Sequence, residues 1–162
     1  MRKIIMSKNN IAIATTTYSD IDYLSSFFGD IELMRYTFGK TFNKDESIKY
    51  IKNNFNFNTN LGFSPILLES SIIGFGGVFK FDNNSYELGY ILDKNYWGRG
   101  LATKAALLQL DYILYTLNSN AVATTHPDNL ASQRVLAKCG FKYEKDIFMK
   151  YRGERKIFRY IS

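Results

Sequence analysis

The chain holds one cysteine and one histidine in 162 residues, and each scarcity closes a route. With Cys139 alone, no internal disulfide can form, and nothing points to an oxidising compartment. Cys139 and His126 supply no metal-ligand spacing, and no Ser-His-Asp constellation accompanies them, so no metal is expected. No apolar run approaches the ~18 residues that a membrane span needs. The opening Met1-Arg2-Lys3-Ile4-Ile5-Met6-Ser7-Lys8 returns to polarity too soon for a secretory apolar region of about 7 to 15 residues. Repeats and Pro/Gly/Ser-rich linkers are also missing, and the biased stretch from Asn53 to Asn60 reads as a fraying helix end plus loop. The expectation is one soluble, cytoplasmic domain over residues 1–162.

What is present suits a packed core. Hydrophobic residues make up 46 % and aromatics 16 %, and Phe27, Phe28, Phe55, Phe75, Phe79 and Phe81 are assigned to core rather than to base stacking. The net charge of +6 is unevenly spread. Met1 to Gln133 carries twelve Lys/Arg and twelve Asp/Glu; Arg134 to Ser162 carries nine against three. Such a region fits either an anionic partner or a solvated basic face.

Periodicity gives a mixed order of elements. A strand is expected over Ile11–Thr16, a helix from Ser19 or Asp20 to Phe28, and a second helix from Lys44-Asp45 to about Phe55. A hairpin over Ser64–Glu69 and Ile72–Phe81 precedes a strand over Tyr86–Leu92, where Glu87, Gly89 and Ile91 face one way and Leu88, Tyr90 and Leu92 the other. A helix over Leu101–Leu117, a strand over Ala121–Thr125, a helix ended by Gly140, and a closing hairpin over Phe141–Tyr151 and Lys156–Ile161 complete the chain. The fold class is α+β, with meander pairing antiparallel and the helical crossover implying one parallel pair.

The densest segment runs from Glu87 through Trp97-Gly98-Arg99-Gly100-Leu101-Ala102-Thr103 to Lys104. A strand ends, glycines turn the chain, and a helix starts. The first amides of a helix have no intrahelical partner and sit at the positive end of its dipole. Glycine lets a bound group approach the backbone, so the turn reads as a site for a diphosphate, with Arg99, Thr103 and Lys104 as further donors. It is neither a P-loop, lacking Gly-Lys-Ser/Thr, nor a dinucleotide fingerprint, lacking the third glycine.

This segment resembles the acetyl-CoA diphosphate loop of the GNAT acyltransferases, Gln/Arg-x-x-Gly-x-Gly/Ala, through Gly100 and Ala102, with Trp97 at the first position. A second block, Asn129-Leu-Ala-Ser132-Gln-Arg-Val-Leu-Ala-Lys138-Cys-Gly140-Phe141, resembles the helix that contacts the pantetheine and thiol end of the cofactor in the branch similar to ribosomal-protein alanine/serine N-acetyltransferases. The resemblance implies a mixed, mostly antiparallel central sheet of about six or seven strands flanked by about four helices. It also implies transfer of an acetyl group from acetyl-CoA to a primary amine, either a protein N-terminus or a small molecule. Tyr90, Ile91 and Leu92 would pair with the pantetheine arm like an added strand, and Asn129 and Ser132 would lie at its end.

Acetyl transfer to an amine needs a proton acceptor, an oxyanion donor and relief for the leaving thiolate. Glu87 is the candidate base, acting through water, or else a strand carboxylate paired with a cation. The backbone N–H near Leu92 is the candidate oxyanion donor. A tyrosine that much of the family places seven residues after the Asn is Leu136 here, so Ser132 is the candidate partner for the sulfur, against a Ser that bonds its own backbone. His126 is read as a turn residue and Cys139 as a buried structural thiol. One wall of an acceptor site is expected from Asp20 to Tyr50, with Tyr36, Phe38 and Asp45 facing a cation. Two alternatives stay open: an enzyme docked to ribosomal or acidic surfaces by its basic C-terminal stretch, and a non-catalytic acyl-CoA-binding or nucleic-acid-binding module. The Phe/Tyr-rich closing hairpin could also pair across a homodimer.

Overall fold

The structure, a computed structural model, describes residues 1–161. Strands β1 (Ile4–Lys8) and β2 (Ile11–Ala14) form an opening hairpin, followed by helices α1 (Ile21–Phe28), α2 (Ile31–Met34) and α3 (Lys44–Asn54). The meander is β3 (Ser64–Leu68), β4 (Ser71–Lys80) and β5 (Ser85–Leu92). Then come α4 (Leu101–Asp111), β6 (Asn120–Thr125), α5 (Leu130–Lys138), and the hairpin β7 (Phe141–Met149) and β8 (Gly153–Tyr160). The eight strands form one sheet in the order β1-β2-β3-β4-β5-β6-β8-β7. Only β5 and β6 pair in parallel; every other neighbour is antiparallel.

Local chemistry accounts for the helix starts. Asn43 accepts from the Glu46 amide at 2.8 Å while Glu46 accepts from the Asn43 amide at 3.0 Å, a reciprocal cap that starts α3. Asn129 does the same one-sidedly for α5, accepting from the Ser132 amide at 3.2 Å. Asp20, buried before α1, accepts from the Thr17 amide at 2.7 Å and pairs with Arg2 at 2.7 Å, which fastens the N-terminal segment to the first helix.

Two expectations were too small. The sheet has eight strands because β1 pairs with β2, and there are five helices because α2 is a single turn capped by Asp30. β1 is an edge strand in which only Met6 is buried, so it carries no readable alternation. The helix expected to reach Leu117 is α-helical to Asp111 and continues through Thr116 as a π turn.

The core divides by chemistry. Around α4 and α5 it is aliphatic, with Leu88, Leu92, Leu101, Leu108, Leu110, Ile113 and Leu136 packed where Ala105 and Ala106 let α4 lie close. Around α1 and α3 it is aromatic: Phe27, Phe28, Phe55 and Phe75 are buried, with Phe38, Phe42, Tyr50 and Phe63 packed against them. Phe28 stacks on Phe75 at 5.5 Å, and such a ring pair adds about 0.5–1.5 kcal/mol beyond its buried area. Phe79 and Phe81, expected in the core, are only half-buried.

Candidate active site

The site begins where the parallel pairing stops. β5 and β6 are in register from Ser85↔Asn120 to Glu87↔Val122 and no further, although β5 runs on to Leu92 and β6 to Thr125. Each strand stays paired on its other edge: β5 with β4 through Gly74↔Leu92, β6 with β8 through Thr125↔Lys156. The sheet therefore opens, and a cavity of about 510 Å³ lies in the gap. Alternation along β5 places Leu88 and Tyr90 on the α5 side with Asn129, Ser132 and Leu136. It places Glu87, Gly89 and Ile91 on the side of the aromatic cluster with Tyr36, Phe38, Tyr50, Phe63 and Phe79. The cavity reaches both faces of the sheet.

The hydrogen-bond phase of β5 also matters. The Asp93 amide donates to the Ile73 carbonyl at 2.8 Å, so the main-chain groups of Tyr90 and Leu92, at alternate positions, point away from β4 and toward the gap. One of these groups is taken: the Trp97 indole N–H donates to the Leu92 carbonyl at 2.9 Å. Trp97 thus ties the glycine turn to the end of the strand.

In that turn Gly98 and Gly100 have φ of 75° and 73°, and a Cβ on either would meet nothing within 4 Å. The left-handed backbone calls for glycine, and the space beside it is open. Among the described residues, the amides of residues 98 to 103 find no protein acceptor. Six free amides at the start of an 11-residue helix fit a diphosphate. Arg99 lies over the Tyr96 ring at 5.4 Å, and Arg99 and Lys104 line a separate polar cleft with Asn10, Glu69 and Ser71. Residues 97 to 103 adjoin the main cavity along the chain but do not line it.

Glu87 is buried and fully engaged. It accepts from Arg152 through both oxygens at 3.1 and 3.0 Å and from the Thr124 hydroxyl at 2.7 Å. Both readings of this residue meet here: the carboxylate lines the cavity, and it is paired with an arginine. Across the gap the hydroxyls of Tyr90 and Ser132 are 3.1 Å apart. Burial pushes the Tyr90 phenol up to about 12, so it is protonated at neutral pH. Ser132 bonds this phenol, while its own amide is capped by Asn129.

The structure gathers Glu87, Tyr90, Ile91, Asn129 and Ser132 in one cavity, with Leu92 at its strand end. The expected cation-facing wall is different in charge: Tyr36, Phe38 and Tyr50 line the cavity, Asp45 does not, and Lys40 does. Residues that sequence reasoning missed come from β6, from β8 and from the turn before β8. Arg152 and Arg155 both line the cavity, and Arg155, 4 % exposed, donates to the Tyr36 carbonyl at 2.6 Å and the Thr124 carbonyl at 3.0 Å. The basic excess after Arg134 was the available signal, but it did not separate these two from the surface cations. Gln109 was also missed. It is wholly buried and donates to the Gly89 carbonyl at 3.1 Å, which bolts α4 to the strand beside the gap.

His126 holds a turn: its Nδ1 accepts from the Asp128 amide at 3.0 Å and its ring lies 5.0 Å from Tyr36. Cys139 is buried, its thiol pushed up to about 11 by burial, as befits a structural residue. No group of three or more His, Cys, Asp or Glu among the described residues could hold a metal ion, and no helix is long and apolar enough to cross a membrane.

The model of the acetyltransferase (GNAT) domain matches residues 11–142, and the chain belongs to the GNAT acetyltransferase family. Its curated relatives are named N-acetyltransferases, and a structural neighbour at 18 % identity, the microcin C7 self-immunity acetyltransferase MccE, is in complex with acetyl-CoA and AMP. An uncharacterized N-acetyltransferase of Bacillus subtilis strain 168, YnaD, is 27 % identical over 143 residues, covering 86 % of this chain and 83 % of YnaD. A GNAT-family acetyltransferase from Bacillus anthracis superposes with a TM-score of 0.82 at 20 % identity over 95 % of this chain and 96 % of its own. RimL, the ribosomal L7/L12 alpha-N-protein acetyltransferase, superposes with a TM-score of 0.81 at 15 % identity over 100 % of this chain and 96 % of its own. In complex with coenzyme A it gives 0.76 at 13 % identity, over 98 % of each chain.

Proposed function

We propose that the protein acetylates a primary amine, on a small molecule or a protein N-terminus, by direct attack within a ternary complex. The observation that carries this reading is the cavity through the sheet, with main-chain donors and Ser132 toward one face and a carboxylate toward the other. The amides of residues 98 to 103 hold the diphosphate of acetyl-CoA, and the gap-facing groups of Tyr90 pair with its pantetheine arm. The Leu92 amide, pointing into the gap, stabilises the oxyanion; a preorganised donor of this kind contributes about 2.7–4 kcal/mol. Glu87 accepts the proton that the ammonium must lose, through water or directly. Ser132 hydrogen-bonds the leaving sulfur, and the Tyr90 phenol behind it holds the serine hydroxyl in place.

Initial rates measured by thiol release, with acetyl-CoA and amine varied together, test the order of events. Intersecting lines in double-reciprocal form are expected. Parallel lines would mean a covalent acetyl-enzyme and would end the direct-attack reading.

A further inference from the structure

The polar end of the cavity has more positive than negative charge. Lys40, Arg152 and Arg155 line it against a single carboxylate, Glu87. Arg152 and Glu87 are paired with each other, and Arg152 also donates to the Thr124 hydroxyl at 2.8 Å. Among the described residues Arg155 has no carboxylate partner: Nη1 donates to the Tyr36 carbonyl, Nη2 to the Thr124 carbonyl, and Nε to the Thr124 hydroxyl at 3.3 Å. Burial, and then repulsion from Arg152, pull its guanidinium down to about 10, only partly offset by Glu87; it is still charged at neutral pH. A guanidinium buried without a counter-charge is costly, and a second cation beside it raises the cost. A polycationic acceptor would enlarge this imbalance; an acceptor that carries a carboxylate beside its ammonium gives the cations a partner and leaves the balance no worse. The remaining walls are flat rings: Tyr36, Phe38, Tyr50, Phe63, Phe79 and Tyr151. A cavity of about 510 Å³ is of small-molecule size.

We propose that the acceptor is a small zwitterionic amine with an aromatic body, of the aromatic amino acid type, whose carboxylate is taken by Arg152 and whose ammonium is taken by Glu87. This rests on the acetyltransferase reading above and adds the substrate class. The Arg152–Glu87 ion pair is exchanged for two new pairs of the same kind, so neither charge is left bare. The exchange also frees the carboxylate for its chemistry. One ammonium proton passes to Glu87; the amine nitrogen bonds the acetyl carbon; the carbon–sulfur bond breaks, and the second nitrogen proton ends on the sulfur. The products are an amide and a thiol, and Glu87 returns its proton to water.

The test uses L-phenylalanine, phenylalaninamide, phenethylamine and spermidine as acceptors, followed by thiol release. Calorimetry of acetyl-CoA alone, and of L-phenylalanine with the protein saturated with coenzyme A, accompanies it. Phenylalanine is expected to bind and to show a KM at least about tenfold below those of its amide and of phenethylamine, about 1.4 kcal/mol. Spermidine is expected to be a poor acceptor. In Arg152→Met the KM advantage of the acid over the amide disappears, and Arg152→Lys restores part of it. Equal KM values for acid and amide, preference for spermidine, or no phenylalanine binding at millimolar concentration overturns the substrate class while leaving the transferase reading intact. Failure of acetyl-CoA itself to bind defeats the reading beneath it.

Discussion

The two faces of the cavity differ in how they are made. Toward α5 the donors are largely main chain: the gap-facing groups of Tyr90 and Leu92 and, beyond the cavity along the chain, the amides of residues 98 to 103, helped by Asn129 and Ser132. On the other side everything is side chain, drawn from six separate stretches that include Tyr36 to Lys40, Tyr50, Phe63, Phe79 and Tyr151 to Arg155. Main-chain recognition needs a backbone shape, and that shape needs particular residues at fixed spacing. Side-chain recognition uses the same phenylalanines, tyrosines and arginines that fill cores and surfaces.

Four changes probe that division, and the largest effect belongs to the side-chain face. Glu87→Gln keeps the size but loses the proton acceptor and its charge toward Arg152. Turnover at neutral pH is expected to fall about 10²–10⁴-fold by thiol release, with acetyl-CoA affinity unchanged by calorimetry. A rate within twofold of the parent removes Glu87 as the base. Phe28→Ala empties the centre of the aromatic cluster, where Phe28 meets Phe38, Phe42, Tyr50, Phe55 and Phe75. It is expected to cost about 3–5 kcal/mol in denaturant unfolding, while the folded fraction still binds acetyl-CoA.

Gly100→Glu strikes the main-chain face. A left-handed non-glycine residue costs about 1–2 kcal/mol of strain, and the carboxylate lies where phosphate is to bind. At least about tenfold weaker acetyl-CoA binding is expected by calorimetry, with the fold retained. Unchanged affinity would take the diphosphate away from this turn. The smallest effect is at Cys139. Its thiol, pushed up to about 11, is protonated at pH 8 and buried, so a thiol reagent should leave it untouched until the protein is unfolded. Rapid labelling of the folded protein would show that the α5 side of the core is open.

The same division decides what could be read in advance. Gly98, Gly100 and the block from Asn129 to Phe141 carried their geometry in the sequence, and the strand–turn–helix order around them appears as expected. Tyr90 and Ser132 were placed near one another, but their hydroxyl contact depends on the approach of α5 to β5, which no local pattern specifies. The gap has no residue pattern of its own, because it arises where pairing ends at Glu87↔Val122 and not from any residue that forbids pairing. Arg152 and Arg155 sat among the nine cations from Arg134 onward. Lys156 and Arg159 from the same stretch pair with Asp146 and Glu144 at the surface, so composition alone had no means of choosing. Lys40 replaced Asp45 on the acceptor wall because the loop after α2, held by Arg155 at the Tyr36 carbonyl, turns residues 36 to 40 toward the cavity while Asp45 stays in the exposed first turn of α3.

A crystal structure of the protein saturated with coenzyme A bears most directly on the central claim, that one ligand lies along the opened edge of β5. The diphosphate should accept from the amides between Gly98 and Thr103, with the pantetheine amides paired to Tyr90 and the sulfur reaching the gap near Leu92 and Ser132. A diphosphate bound elsewhere, or a pantetheine arm that leaves the gap empty, would contradict the account.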